Sequence, residues 1–212
     1  MNFATEEVCR RCGAPLLERD LSAYGLEEKD QSGKPSILKR ALAVLGLTAL
    51  LILVFYISLL TTSDPVPFEQ MQVVYNAIDI LDKSGFGKET FVLRHLVKYR
   101  TTDNWWNRWV GHRDAYAATN FPFEILTLYP EFFNDAVDDT ERAAILLHEC
   151  YHLYGSGEAA SLEGTWRNKR KLGWTEDLYG QTKVWRNTRE LTLAQAPRLF
   201  QCGYDGHKDC YP

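Results

Sequence analysis

The chain has 212 residues, 45% hydrophobic and 25% charged, which suffices for one compact domain with appendages but not for two large domains. A formal charge of -4 and a pI near 5.8 argue against a broad basic surface, so no nucleic-acid partner is expected. Glycine (14) and proline (8) are near ordinary usage, which excludes a collagen-like or low-complexity chain. Mean hydropathy is -0.31, but that average conceals one very apolar segment.

In chain order, residues 1–40 come first. Cys9 and Cys12 stand in CRRCGAPL, with Gly13 directly after the second thiol, and this stretch resembles one knuckle of a zinc ribbon. A four-coordinate metal would need two more ligands, and residues 1–40 hold no other Cys and no His. The resemblance therefore implies ligands borrowed from a second copy, hence a homodimer through the tail, or else weak binding or a relic. Residues 19–38 are polar, punctuated by Gly, Ser and Pro, and read as a linker.

Ala41 to Leu60 follows as twenty residues without a charge. At 1.5 Å per residue such a helix covers roughly 30 Å, the hydrocarbon thickness of a bilayer. A transmembrane helix over 41–61 is expected. Lys34, Lys39 and Arg40 precede it, whereas Asp64 and Glu69 follow and no basic residue comes before Lys83. The positive-inside rule then places the N-terminus in the cytoplasm and the C-terminal part outside, in a single-pass arrangement at the cell membrane. A cleaved signal peptide fits poorly, because the preceding region is forty residues long and LLTTSDP lacks an Ala-x-Ala-like site.

Residues 64–212 are long enough for their own core and are expected to form an extracytoplasmic domain. Pro65 and Pro67 read as a stiff neck. Met71, Val74, Ala77, Ile78 and Leu81 fall at helical spacing and predict a helix near Phe68–Asp82, closed by an SGFGK turn. That turn lacks the glycine spacing of a nucleotide-binding loop. A second helix is expected over roughly Glu89–Tyr99, and one or two more between Thr175 and Ala196. Cys202 and Cys210 bound a short turn-rich loop on the oxidising side, where a disulfide is expected.

The segment that carries chemistry runs from Asp138 to Gly164. Asp138 and Glu141 have capping-box spacing, and the alanines and leucines after them predict a helix from about Thr140 to Tyr154, stopped by Gly155. Ala143, Leu147, Cys150 and Tyr154 form the stripe expected to face the core, so Cys150 reads as a small buried residue. His148 and His152 lie one turn apart, and their imidazoles can bind a single metal ion. Glu149 is rotated by about 100° from His148, outside direct coordination but within reach of a water at the metal. This is the arrangement that metal-assisted amide hydrolysis requires.

With His148-Glu149-Cys150-Tyr151-His152 in full and the flanking residues from about Ile125 to Gly164, the chain resembles the zincin metallopeptidases. The resemblance implies an α+β, mostly helical external domain with a short edge sheet over the active-site helix. Ile125–Leu128 is similar to the edge strand along which zincin substrates lie. Zn²⁺ is the implied cofactor and a peptide or protein the implied substrate, with Glu149 as general base and His148, His152 and a third residue as ligands. Glu158 has the position of the third metzincin ligand, but no methionine follows the motif; the gluzincin analogy is also incomplete, because its glutamate usually lies farther on. Glu163 is the alternative third ligand. If a helix begins at Gly157, with Ala159, Leu162 and Trp166 on its buried side, Glu158 and Glu163 point about 140° apart and only one can face the metal. Glu158, beside the glycine turn, is favoured. Tyr154, Tyr179 and His207 are the candidates for oxyanion stabiliser.

Trp105, Trp106 and Trp109 are open to three readings: core packing, which is favoured, a membrane interface, or a grip on substrate. The basic run Arg167–Lys171 reads as a solvated helix end. His95 and His112 read as structural. The functional expectation is a membrane-anchored zinc peptidase acting outside the cytoplasm, the alternative being a non-catalytic binding or sensing module on a zincin-like scaffold.

Overall fold

The apolar run forms one uninterrupted helix, α1 (Ile37–Thr61), 25 residues long and with 6% of its most apolar window buried. It is long and apolar enough to cross a membrane. The computed structural model describes residue 8 and residues 11–14, 36–111 and 115–211. The chain divides into two compact units, Met1–Leu50 and Leu51–Pro212, and the second holds the chemistry-bearing motif.

This second unit is a mostly helical α+β fold with a small three-stranded sheet. The helix α2 (Phe68–Lys83) buries Val74, Ala77, Ile78 and Leu81 of the stripe expected from spacing, with Met71, its first member, only partly buried. Gly85, at φ 78°, turns the chain into α3 (Gly87–His95). That helix stops short of the expected Tyr99. Val97 turns inward and Lys98–Arg100 becomes strand β1, so pairing with a distant strand overrides the local helical pattern.

A short helix, α4 (Trp105–Val110), leads to β2 (Ala117–Asn120) and β3 (Ile125–Leu128). The sheet order is β1-β3-β2, with β1 parallel and β2 antiparallel to β3. The Ile125–Leu128 strand is therefore central, not the edge that the resemblance implied. Its four residues are all buried, as suits a strand covered on both faces, while β2 is the outer strand beside the helix that carries His148 and His152.

After α5 (Pro130–Asn134), the helix α6 (Asp139–Leu153) carries the motif. Asp138 caps it, accepting from the Thr140 and Glu141 amides at 2.9 and 3.1 Å. Of the expected core stripe Ala143, Leu147 and Cys150 are buried, but Tyr154, just beyond the last helical turn, is half exposed. Next come α7 (Glu158–Asn168), α8 (Glu176–Tyr179), α9 (Lys183–Gln195) and a 3-10 turn at Pro197–Phe200. The buried side of α7 is Ser161, Leu162, Thr165 and Trp166; Ala159, expected on that side, instead lines an open groove with Gln195 and Arg198.

Trp166, Trp174 and Trp185 meet edge to face or tilted at centroid distances of 4.8–6.2 Å, joining α7 to α9. The basic run is not uniformly solvated. Lys169 is 1% exposed, lies over the Trp166 ring and pairs with Asp209 at 2.8 Å. Asp209 also accepts from Trp166 Nε1 at 3.0 Å, so the terminal loop plugs into the tryptophan cluster. Cys202 and Cys210 in that loop form a disulfide.

Candidate metal centre

His148 and His152 sit one turn apart on α6, their ring centroids separated by 4.7 Å and their planes nearly perpendicular. Two glycines then reverse the chain. Gly155, at φ 79°, ends the helix, with the Ser156 amide bonded back to the Tyr151 carbonyl at 3.0 Å. This places the Ser156 carbonyl 2.9 Å from His152 Nδ1, which donates to it and so leaves the Nε2 lone pair facing inward. Ser161 Oγ, buried on α7, lies 3.3 Å from the same nitrogen. Gly157 caps α7, and Glu158 in its first turn reaches back over the histidines.

The three side chains converge on one point. His152 Nε2 is 3.1 Å from His148 Nε2 and 3.1 Å from Glu158 Oε2, while Glu158 Oε1 is 3.6 Å from His148 Nε2. A four-coordinate divalent ion with ligands at about 2.1 Å sets adjacent ligand atoms about 3.4 Å apart. The observed edges bracket that value. At 3.1 Å the two Nε2 atoms are close enough to share a proton or, with both lone pairs turned inward, a single cation. The group His148, His152 and Glu158 could therefore hold a metal ion.

The electrostatics agree. Hydrogen bonds from His148 and His152 outweigh burial and hold the Glu158 carboxyl far below its ordinary range. Burial pushes His152 down, but the bond to Glu158, the charge of Glu149 and the Ser156 carbonyl together raise it above its ordinary value. The surroundings of His152 and the depressed Glu158 carboxyl thus both favour positive charge between them.

Glu149 lies beside the cluster and is 6% exposed. Its Oε2 accepts from the Thr119 hydroxyl at 2.7 Å, a contact that ties α6 to the outer strand β2. Thr119 was not singled out in the sequence: AATN offers a weak, short strand pattern thirty residues from the motif, with nothing to mark its threonine. No family model, curated protein or solved structure matches this chain.

Among the remaining expectations, Glu163 is not brought to the cluster. It pairs with Arg167 at 2.6–2.8 Å and with Arg198, on the opposite flank of α7. Tyr179 donates to Asp138 at 2.7 Å at the far end of α6, His207 lies in the exposed disulfide loop, and Tyr154 stands just past the helix end. Cys150 is fully buried and burial pushes its thiol up to about 12, consistent with a packing role. The His95 ring lies tilted against Phe91, with centroids 5.0 Å apart. Cys12 is exposed, while Cys9 and His112 fall outside the described residues.

Proposed function

We propose that the chain is a membrane-anchored zinc peptidase of the zincin type, hydrolysing peptide bonds outside the cytoplasm, with α1 as its single span. The observation that carries this reading is the near-tetrahedral spacing of His148, His152 and Glu158 with a buried carboxylate, Glu149, next to them on the same helix. The flanking charges of α1 support the orientation, and Cys202–Cys210 suits an oxidising compartment.

The nitrogen and carboxylate donors would hold Zn²⁺, which when bound supplies a Lewis acid able to acidify a water and polarise a scissile carbonyl. Glu149 takes a proton from the attacking water. The water oxygen bonds to the carbonyl carbon, the C–N bond breaks, and Glu149 passes the proton to the departing amine. The Thr119 hydroxyl holds one carboxylate oxygen, which leaves the other turned to this task. In this reading β2 fills the role expected of Ile125–Leu128. It pairs only with β3 among the described residues, so its outer side offers backbone groups to an extended peptide.

The test combines metal analysis with Glu149→Gln in the full chain. The native protein is expected to carry one zinc and to cleave members of a peptide library. The variant should retain the zinc and lose turnover by about 10²–10⁴-fold. Unchanged turnover would remove Glu149 from the mechanism, and stoichiometric zinc with no hydrolysis would identify a non-catalytic binding module.

A further inference from the structure

Trp105, Trp106 and Trp109 lie at the surface and not in the core that their aromatic character favours. Trp105 is 36%, Trp106 38% and Trp109 75% exposed, and Val110 beside them is also exposed. Such a surface is costly in water, and single exposed tryptophans are uncommon enough that three on one six-residue helix call for a partner. The helix is too short to stand alone. It is held from behind by a buried amide network: Asn104 Nδ2 donates to Asn120 at 2.8 Å, Asn120 Nδ2 to Asn107 at 2.6 Å, and Asn107 Nδ2 to Thr127 at 3.3 Å. The chain thus fixes α4 rigidly on the sheet with its indoles outward.

The position of these indoles along α1 identifies what covers them. Trp105 and Trp106 lie edge-on to Phe55 at 5.5 and 6.0 Å, Trp105 Nε1 donates to Ser58 Oγ at 3.0 Å, and Phe123 of the β2–β3 turn lies 5.3 Å from Phe55. Lys39 and Arg40 fix the inner end of the apolar run at Ala41, so a core of about 30 Å extends to Leu60. Phe55 is five residues before that limit, about 7 Å inside it. Side chains in contact with Phe55 and Ser58 share that depth.

We propose that α4 and the tip of the β2–β3 turn form a second membrane contact, an aromatic ridge sunk into the outer leaflet beside the end of α1. Indoles prefer this depth, with the ring among the upper acyl chains and the N–H toward the head-groups. The ridge reaches the metal centre through one turn: Phe123 contacts α1, while the ring of Phe121 sits 3.6 Å from the Cβ position of Gly155, where α6 ends. The bilayer thereby fixes the centre close to its surface. This inference rests on the membrane-spanning part of the proposed function and not on its peptidase part.

The experiment is tryptophan fluorescence of the full chain in phosphatidylcholine vesicles, with and without bromine on the upper acyl chain, after flotation. Trp166, Trp174 and Trp185 are buried, so brominated lipid is expected to remove about half of the emission, the share of the three ridge indoles. Trp106→Ser with Trp109→Ser should then lose about two-thirds of the quenchable part. Flotation with emission unchanged by bromine overturns the ridge alone, whether water, substrate or another protein covers it. Failure to float overturns the anchor and the ridge with it. Zinc content and hydrolysis move neither result.

Discussion

The two ends of α6 each carry a buried glutamate, and they are handled in opposite ways. Glu141, at the N-terminal end, is 0% exposed and saturated: it accepts from the Val137 amide at 3.0 Å, from Trp174 Nε1 at 3.4 Å and from the Thr182 hydroxyl. Glu149, eight residues on, is 6% exposed and its side chain accepts from Thr119 alone among the described residues. A buried carboxylate satisfied on all sides is a structural joint, here binding α6 to the segments bearing Trp174 and Thr182. One with acceptor capacity left, beside three side chains that could hold a metal ion, suits the proton-transfer role proposed for Glu149. Burial alone does not separate the two roles; the count of donors does.

Substitutions at Glu149 and Glu141 separate the two roles most directly. Glu149→Gln should reduce turnover by about 10²–10⁴-fold with the fold and metal retained. Glu141→Ala should do the reverse. It strands the Trp174 N–H, the Thr182 hydroxyl and the Val137 amide, and is expected to cost about 3 kcal/mol of stability by urea denaturation in micelles. Activity per folded molecule should be preserved. If Glu141→Ala abolished turnover in protein shown to be folded, the division of labour along α6 would be wrong.

Thr119→Val sharpens the contrast. It keeps the shape of the side chain and removes the one donor that positions Glu149. We expect kcat to fall about tenfold, with metal affinity and KM little changed, the size usual for a lost orienting hydrogen bond. A rise in KM alone would instead assign Thr119 to substrate binding on the outer strand.

Much of this was legible in the residues, and several exceptions share a cause. The helix α6, its cap at Asp138 and its stop at Gly155 are local features, written in contiguous sequence, and the structure places them where spacing predicts. The same holds for α2 and for the disulfide. Three of the misplacements depend on partners remote in sequence. Tyr99 leaves its helix to pair with Leu126; Ile125–Leu128 becomes central because β1 arrives on its other side; Lys169 is buried because Asp209 folds back forty residues later. Thr119 belongs to this group as well. Its role exists only once the sheet sets β2 against α6, and no periodicity could mark it.

The choice between Glu158 and Glu163 lies between these extremes, because the helical angle separates them but only tertiary contacts say which faces the histidines. Glu163 is held by Arg198 and Arg167, and these partners lower its pKa below the ordinary 4.5. A carboxylate whose folded pKa is depressed adds stability above its unfolded value and loses it as pH falls through the folded one. Glu163→Gln should therefore leave zinc content unchanged and lower stability at pH 7 by less than about 1 kcal/mol, as for other solvent-screened pairs. The difference from the native chain should shrink below about pH 4.5 and vanish in stronger acid, where Glu163 is itself protonated. Glu158→Gln should instead strip the metal at neutral pH, since the remaining two imidazoles make an incomplete ligand set. Zinc lost from Glu163→Gln but kept in Glu158→Gln would exchange the two roles. The turn at Gly155 and Gly157 would then have to be one that opens when the ion binds.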